Sequence, residues 1–187
     1  MLKATKNDKA LVIDILSKAF DKNNSVNFVV KQDTKRMNRI CALMDYSFEI
    51  CHRFGNIFLS NDKKACALIL YPDKQKASIG LDLKLVFNSI GFSRAKKVLD
   101  RNAKIKSCYP TKELAYLWFI GVDTKQQGKG LGTTFLKEVL AFTDEMKRPM
   151  YLETSMLQNL PFYKNLGFEV YQELIFGHQL YLMRRSI

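Results

Sequence analysis

One stretch constrains this chain more than any other. Leu114 to Val122 is its longest apolar run, with Tyr116, Trp118, Phe119, Ile120 and Val122. That length and aromatic content read as a strand covered on both faces. Gln127-Gly128-Lys129-Gly130-Leu131-Gly132 follows, and then Leu131, Phe135, Leu136, Val139, Leu140 and Thr143 recur at helical spacing as far as Met146. A buried strand, a glycine-rich turn and a helix in direct succession form an anion cradle. The glycines let a ligand approach the backbone closely, and the first helical turn offers unpaired N–H groups at the positive end of a dipole. Lys129 adds a cation. The turn has no Gly-Lys-Ser/Thr of a P-loop, and its third glycine falls too early for the dinucleotide fingerprint. By itself it also fits a solvated strand-to-helix turn.

The 187 residues are 47% hydrophobic and 26% charged. Such a chain has enough apolar surface to offset its ordering entropy, so it folds, and its length fits one domain spanning 1–187. No apolar run reaches the ~20 residues of a membrane-spanning helix, and Met1 to Asp8 lacks the apolar core of a signal peptide. The expectation is a soluble, cytoplasmic protein, monomer or homodimer, without membrane contact. Cys41, Cys51, Cys66 and Cys108 form no C-x-x-C pair, and His52 and His178 are the only histidines. These spacings predict free thiols and no metal site. The net charge of +12 comes from Lys and Arg spread along the chain. It favours an anionic ligand without naming one, and no nucleic-acid motif accompanies it.

The remaining pattern predicts a mixed α/β sheet in one domain. Thr5 with Asp8 resembles a capping box before a helix carrying Leu11, Val12, Ile15, Leu16, Ala19 and Phe20. Asn23-Asn24-Ser25 is expected to break it. A second helix is expected from about Thr34 to Arg53, ended by Gly55. Asn56–Ser60 and Ala65–Tyr71 read as a hairpin. A helical pair is inserted at about 78–107, its second helix rich in Arg94, Lys96, Lys97, Arg101, Lys104 and Lys106 and closed by Pro110. After the glycine-rich turn and its helix come a strand (Met150–Thr154), a short helix (Leu157–Leu166) ended by Gly167, and strands over Phe168–Phe176 and Gln179–Met183.

Two motifs at matching separation carry a family resemblance. Gln127-x-x-Gly130-x-Gly132, after a strand ending Ile120-Gly121-Val122, resembles the acyl-CoA-binding motif of the GNAT superfamily of N-acetyltransferases. Asn159-Leu160-Pro161-Phe162-Tyr163-Lys164-Asn165-Leu166-Gly167-Phe168 resembles that family's N-x-x-x-Y-x-x-x-G-F, and Tyr151 to Ser155 lies between the two, where the family places its fifth strand. The inserted helices and the Leu180–Arg184 end are similar to the branch holding puromycin-type antibiotic acetyltransferases.

The resemblance implies an α/β (α+β) fold with a mostly antiparallel sheet, splayed at the cofactor strand, and acetyl-CoA as cosubstrate. It implies that the backbone of Ile120 and Val122 pairs with the pantetheine arm. N–H groups of Gln127, Gly128, Lys129, Gly130, Leu131 and Gly132 would hold the pyrophosphate, with Thr133 and Asn159 also reaching the cofactor. Tyr163 matches the usual general acid for the departing thiolate; a phenol of ordinary pKa ~10 can donate at neutral pH. The N–H of Val122 would face the developing oxyanion. A neutral amine would attack directly in a ternary complex.

The general base does not carry over, because Tyr116 stands where some histone acetyltransferases have a glutamate. Tyr116 either shapes the acceptor pocket or fills the core. Glu153 is a candidate base acting through water, or a paired carboxylate. Glu49 and His52, on the second helix, are candidates for acceptor contact. A small-molecule primary amine is the expected acceptor. A protein N-terminus or lysine is the enzymatic alternative, and a non-catalytic acyl-CoA-binding protein the alternative of another class. Trp118, the only tryptophan, would report ligand binding if it faces the cofactor.

Overall fold

Alternation of apolar side chains along the strands dictates the layering. In β3 (Ala65–Leu70), Cys66, Leu68 and Leu70 point to one face of the sheet, and Ala65, Ala67 and Ile69 point to the other. Every residue of that strand is buried, so both faces need cover. In the computed structural model, which describes residues 1–109 and 111–187, α1 (Lys9–Ala19) and α3 (Arg36–Phe54) cover the first face. The second face carries α6 (Leu131–Glu145) and α7 (Leu160–Lys164). Val12, Leu16, Ile40, Met44 and Phe48 anchor one core, and Phe135, Leu136 and Val139 the other. Each such side chain contributes about 1.5–3 kcal/mol of apolar burial.

Seven strands lie in the order β1-β2-β3-β4-β5-β7-β6. They are β1 (Leu2–Lys3), β2 (Gly55–Leu59), β3, β4 (Ala115–Val122), β5 (Met150–Thr154), β6 (Glu169–Ile175) and β7 (Gln179–Arg185). Only β4 and β5 run parallel; every other neighbouring pair is antiparallel. That parallel contact is brief. Ala115 pairs with Met150 and Tyr116 with Tyr151, and the ladder stops there. From Leu117 to Val122, β4 has a partner on its β3 side alone. The mostly antiparallel sheet splayed at this strand matches the fold expected from the sequence.

Several local expectations need correction. The first helix ends at Ala19, before Asn23-Asn24-Ser25, which instead starts another, α2 (Asn24–Val29), because Asn23 accepts from the backbone N–H of Val26 at 3.1 Å. The residue types that interrupt one helix cap the next. The third helix begins at Arg36 rather than Thr34. The short strand β1 pairs Leu2 with Leu59 and was not anticipated. The inserted pair is present as α4 (Ile79–Leu85), extended by a π turn over Val86–Ile90, and α5 (Phe92–Ser107). The proposed stop at Pro110 lies outside the described residues. At the N-terminus, Thr5 N and Oγ1 each donate to the Asp8 carboxylate at 2.9 Å, and these bonds with Lys63 hold its pKa down at about 2.

The four cysteines are free thiols, with Cys51 and Cys66 fully buried and their pKa values raised by desolvation. No helix among the described residues is long and apolar enough to cross a membrane.

Candidate active site

The splay between β4 and β5 opens a cleft of about 880 Å³. Its β4 wall follows from the ladder on the other side. Asp123 N donates to Lys64 O at 2.8 Å, and the antiparallel register sets Ala65 opposite Val122 and Ala67 opposite Ile120. Alternation in such a ladder turns the backbone polar groups of Ile120 and Val122 away from β3, into the gap. Val122 O there accepts from Gln127 Nε2 at 3.3 Å. Gly121, between them, faces α1 so closely that a Cβ would sit 2.8 Å from Leu16 Cδ2.

The glycine-rich turn closes one end of the cleft. Gly128 and Gly130 hold φ values of +77° and +80°, and a Cβ at either would meet nothing within 4 Å. Both conformations are left-handed and open, so the backbone itself lines the space, and Gly130 sits at the N-cap of α6. Leu131, Gly132 and Thr133 form the first turn and also line the cleft. The arrangement fits a pyrophosphate: exposed N–H groups, a helix dipole, and room where side chains would intrude.

Of the expected cofactor residues, Ile120, Val122, Gln127, Gly128, Gly130, Leu131, Gly132, Thr133, Asn159 and Tyr163 line this cleft. Lys129 does not; its ammonium bonds Gln126 Oε1 at 3.2 Å and the side chain is exposed. Lys18 and Lys22 bring cations to the cleft instead. No motif marks them: Lys18 lies in the last turn of α1 and Lys22 just beyond it, and they meet the turn only through the fold.

Tyr163 projects from α7 with 8% of its surface exposed. Its ring makes edge contacts with Phe162 and Phe168, at centroid distances of 5.0 and 5.8 Å. Burial pushes its pKa up to about 12, so the phenol is protonated at neutral pH and able to donate.

A second space, a cavity of about 180 Å³, lies behind the splay on the α1/α3 face. Tyr46, Tyr109, Tyr116, Trp118 and Phe119 line it together with residues of α2, α4 and α5. Tyr116 is buried here, and desolvation followed by the Glu153 charge drives its pKa far up. It therefore shapes this cavity while packing into the core. Cavity and cleft share Phe20, Asn23, Trp118 and Glu153. Trp118 occupies the bulge where the β3–β4 register shifts, between the Leu68–Phe119 and Ile69–Leu117 pairs. The extra residue turns the indole toward both spaces.

Glu153, on β5, is the one carboxylate lining both spaces among the described residues. It is a paired carboxylate: Arg101 Nη2 lies 3.1 Å from its Oε1. The other two acceptor candidates are displaced from the site. Glu49 pairs with Lys9 at 2.7 Å, and exposed His52 stacks on Phe48 with centroids 6.0 Å apart; neither lines the cleft or the cavity. Both project from α3 on faces turned away from the splay.

Residues 85–170 match the family described as acetyltransferase (GNAT) domain, a span from the end of α4 through both motifs into β6. Over that span the chain is similar to GNAT acetyltransferase domains. An uncharacterized N-acetyltransferase of Schizosaccharomyces pombe is 41% identical over 61 residues, which take in 33% of this chain and 24% of that protein's length. The GNAT fold extends over the whole chain. A Corynebacterium glutamicum structure described as histone acetyltransferase HPA2 and related acetyltransferase superposes with a TM-score of 0.75 at 21% identity, covering 99% of this chain and 94% of the other. The C-terminal condensation domain of Ebony, in complex with beta-alanyl-dopamine, gives 0.76 at 10% identity over 100% and 97% of the two chains. Arylalkylamine N-acetyltransferase 2 from Aedes aegypti gives 0.62 at 17% identity over 100% and 97%.

Proposed function

We propose that this protein transfers the acetyl group of acetyl-CoA to the primary amine of a small molecule, by direct attack within a ternary complex. The observation that carries the reading is the junction of two unlike spaces at the splay. One is an open cleft with an anion cradle at its end; the other is a small aromatic cavity. Glu153 and Trp118 stand where they meet.

Acetyl-CoA supplies the activated acetyl group. The turn at Gly128–Gly130 and the first turn of α6 would bind its pyrophosphate, and the free edge of β4 at Ile120 and Val122 would pair with the pantetheine amides. The amine nitrogen forms a bond to the thioester carbon as the carbon–sulfur bond breaks. The Val122 N–H would stabilise charge on the carbonyl oxygen, and Tyr163 would give its proton to the departing sulfur. The amine's proton leaves through water. Much of the acceleration would come from holding the two substrates together.

The size and aromatic walls of the cavity favour a compact amine over a polypeptide. Two of the structural relatives, by their descriptions, handle aromatic amines or their conjugates. The reading is tested by following CoA release with acetyl-CoA against a panel of small primary amines and of peptides with free N-termini or lysines. Turnover confined to small amines is expected. Turnover confined to peptides would reverse the choice of acceptor, and none with either would remove the enzymatic reading.

A further inference from the structure

Arg101 belongs to the inserted helix α5, on which Lys96, Lys97, Lys104 and Lys106 are exposed and Arg94 is half-buried, donating to Phe28 O. The Arg101 side chain is only 5% exposed and turns inward to Glu153. The Phe28 ring, on α2, and the Phe176 ring, in the β6–β7 turn, lie 6.0 and 5.6 Å from its guanidinium carbon. Arg101 and Glu153 both line the acceptor cavity, and Glu153 is its one carboxylate among the described residues. Arg101 Nε and Glu153 Oε2 are buried without a hydrogen-bond partner, and Arg101 Nη1 donates to Asn102 Oδ1 at 3.4 Å. The remaining charge on the lining is Lys106, an exposed cation.

A buried carboxylate beside a pocket attracts cations strongly unless it is neutralised. Here the neutralising charge is covalently part of the insert, and the lining carries no uncompensated negative charge. We propose that Arg101 is a specificity-determining residue of the acceptor site. By neutralising Glu153 it restricts the cavity to primary amines whose remaining body is uncharged and aromatic or apolar, and it excludes diamines and polyamines. The inference rests on the acetyl-transfer reading. It assigns to the insert a role in selecting substrate charge.

The test compares kcat/KM for 2-phenylethylamine and for 1,5-diaminopentane, with acetyl-CoA binding and circular dichroism measured on every variant. Wild type should favour the aromatic monoamine. Arg101→Gln should shift the ratio toward the diamine by about tenfold or more, because the unpaired carboxylate can then hold a second ammonium. Arg101→Lys should keep the wild-type ratio. The double variant Arg101→Gln/Glu153→Gln should restore the monoamine preference, which a merely structural role for Arg101 would not do. Should Arg101→Gln not fold, Glu153→Gln provides the converse: the cavity gains net positive charge, and the ratio of phenylalanine to 2-phenylethylamine should rise. An unchanged ratio in folded Arg101→Gln, or in Glu153→Gln where the first does not fold, overturns the proposal. So does a double variant that behaves as the single one. A wild type that binds acetyl-CoA and acetylates no amine fails earlier, at the acetyl-transfer reading, and is recognised by the absence of any turnover to compare.

Discussion

The cleft around Gly130 draws most of its lining from one continuous stretch of chain, from β4 through α6 and β5 to α7. The cavity around Tyr116 takes its walls from α2, α3, α4, α5 and three strands, β3, β4 and β5. The first is made largely of backbone: a free strand edge, two left-handed glycines and a helix N-terminus. The second is made of side chains, chiefly aromatic rings and one buried ion pair. A site made of backbone fixes the common chemistry with few residue choices. A site made of side chains, brought in by an insert, can change what it accepts without disturbing the cradle.

This contrast gives variants that separate the two regions. Tyr163→Phe has the largest expected effect. It should lower kcat by roughly 10²–10⁴ while leaving acetyl-CoA affinity nearly unchanged, as loss of a proton donor does. Because burial raises the Tyr163 pKa to about 12, wild-type kcat should show no alkaline fall from this group at or below about pH 10. Steady-state kinetics across pH check both statements, and unchanged turnover in the phenylalanine variant would remove Tyr163 from the chemistry.

Gly121→Ala comes next. Its Cβ would press on the Cδ2 end of the fully buried Leu16 side chain, so Leu16 must repack or α1 move from β4, at a cost of about 1–3 kcal/mol. Denaturant melts should show that loss. Acetyl-CoA affinity should drop with it, since Lys18 and Lys22 are attached to the same helix end. Retained stability and affinity would mean that the close approach of α1 is dispensable.

Tyr46→Phe probes the other region. Tyr46 Oη donates to Asp82 at 2.7 Å and ties α3 to α4 across the wall of the cavity. Loss of one such bond is worth about 0.5–1 kcal/mol, so KM for the amine should rise about two- to fivefold. The constant for acetyl-CoA should stay put; equal changes in both would show that the two regions are not separable.

The smallest effect is expected for Glu49→Gln and His52→Ala. Both side chains lie outside the two spaces, so kcat/KM should stay within about twofold of wild type, the usual range for surface sites. A tenfold loss from either would place the acceptor elsewhere.

The same contrast explains what could be read from the sequence. Gly128, Gly130 and Gly132 announce the cradle because left-handed backbone and close approach demand glycine, and the Asn159-to-Phe168 motif announces Tyr163. The apolar run of β4 is legible because both faces of the sheet are covered. Asn23 is ambiguous, since the residue types that interrupt helices also cap them; here α1 has ended at Ala19 and Asn23 caps α2. Lys129 is misleading: its position in the turn suggests a ligand contact, yet its side chain points to solvent and bonds Gln126. Lys18, Lys22 and Arg101 carry no local signal at all. Arg101 stands among six basic residues on one inserted segment, and only its burial and its inward turn to Glu153 and Phe176 distinguish it from the others. Glu49 and His52 suit acceptor chemistry by residue type, but the rotation of α3 turns them away.

The central claim is that the splayed edge of β4 and the turn at Gly130 form an acetyl-CoA site. It is tested most directly by calorimetric titration of the protein with acetyl-CoA, beside Gly130→Glu. The account predicts saturable binding at one site, weakened about a hundredfold or more in the variant, where a carboxylate would enter the cradle from a left-handed backbone position. No binding to the folded wild-type protein, or equal binding by the variant, would contradict it.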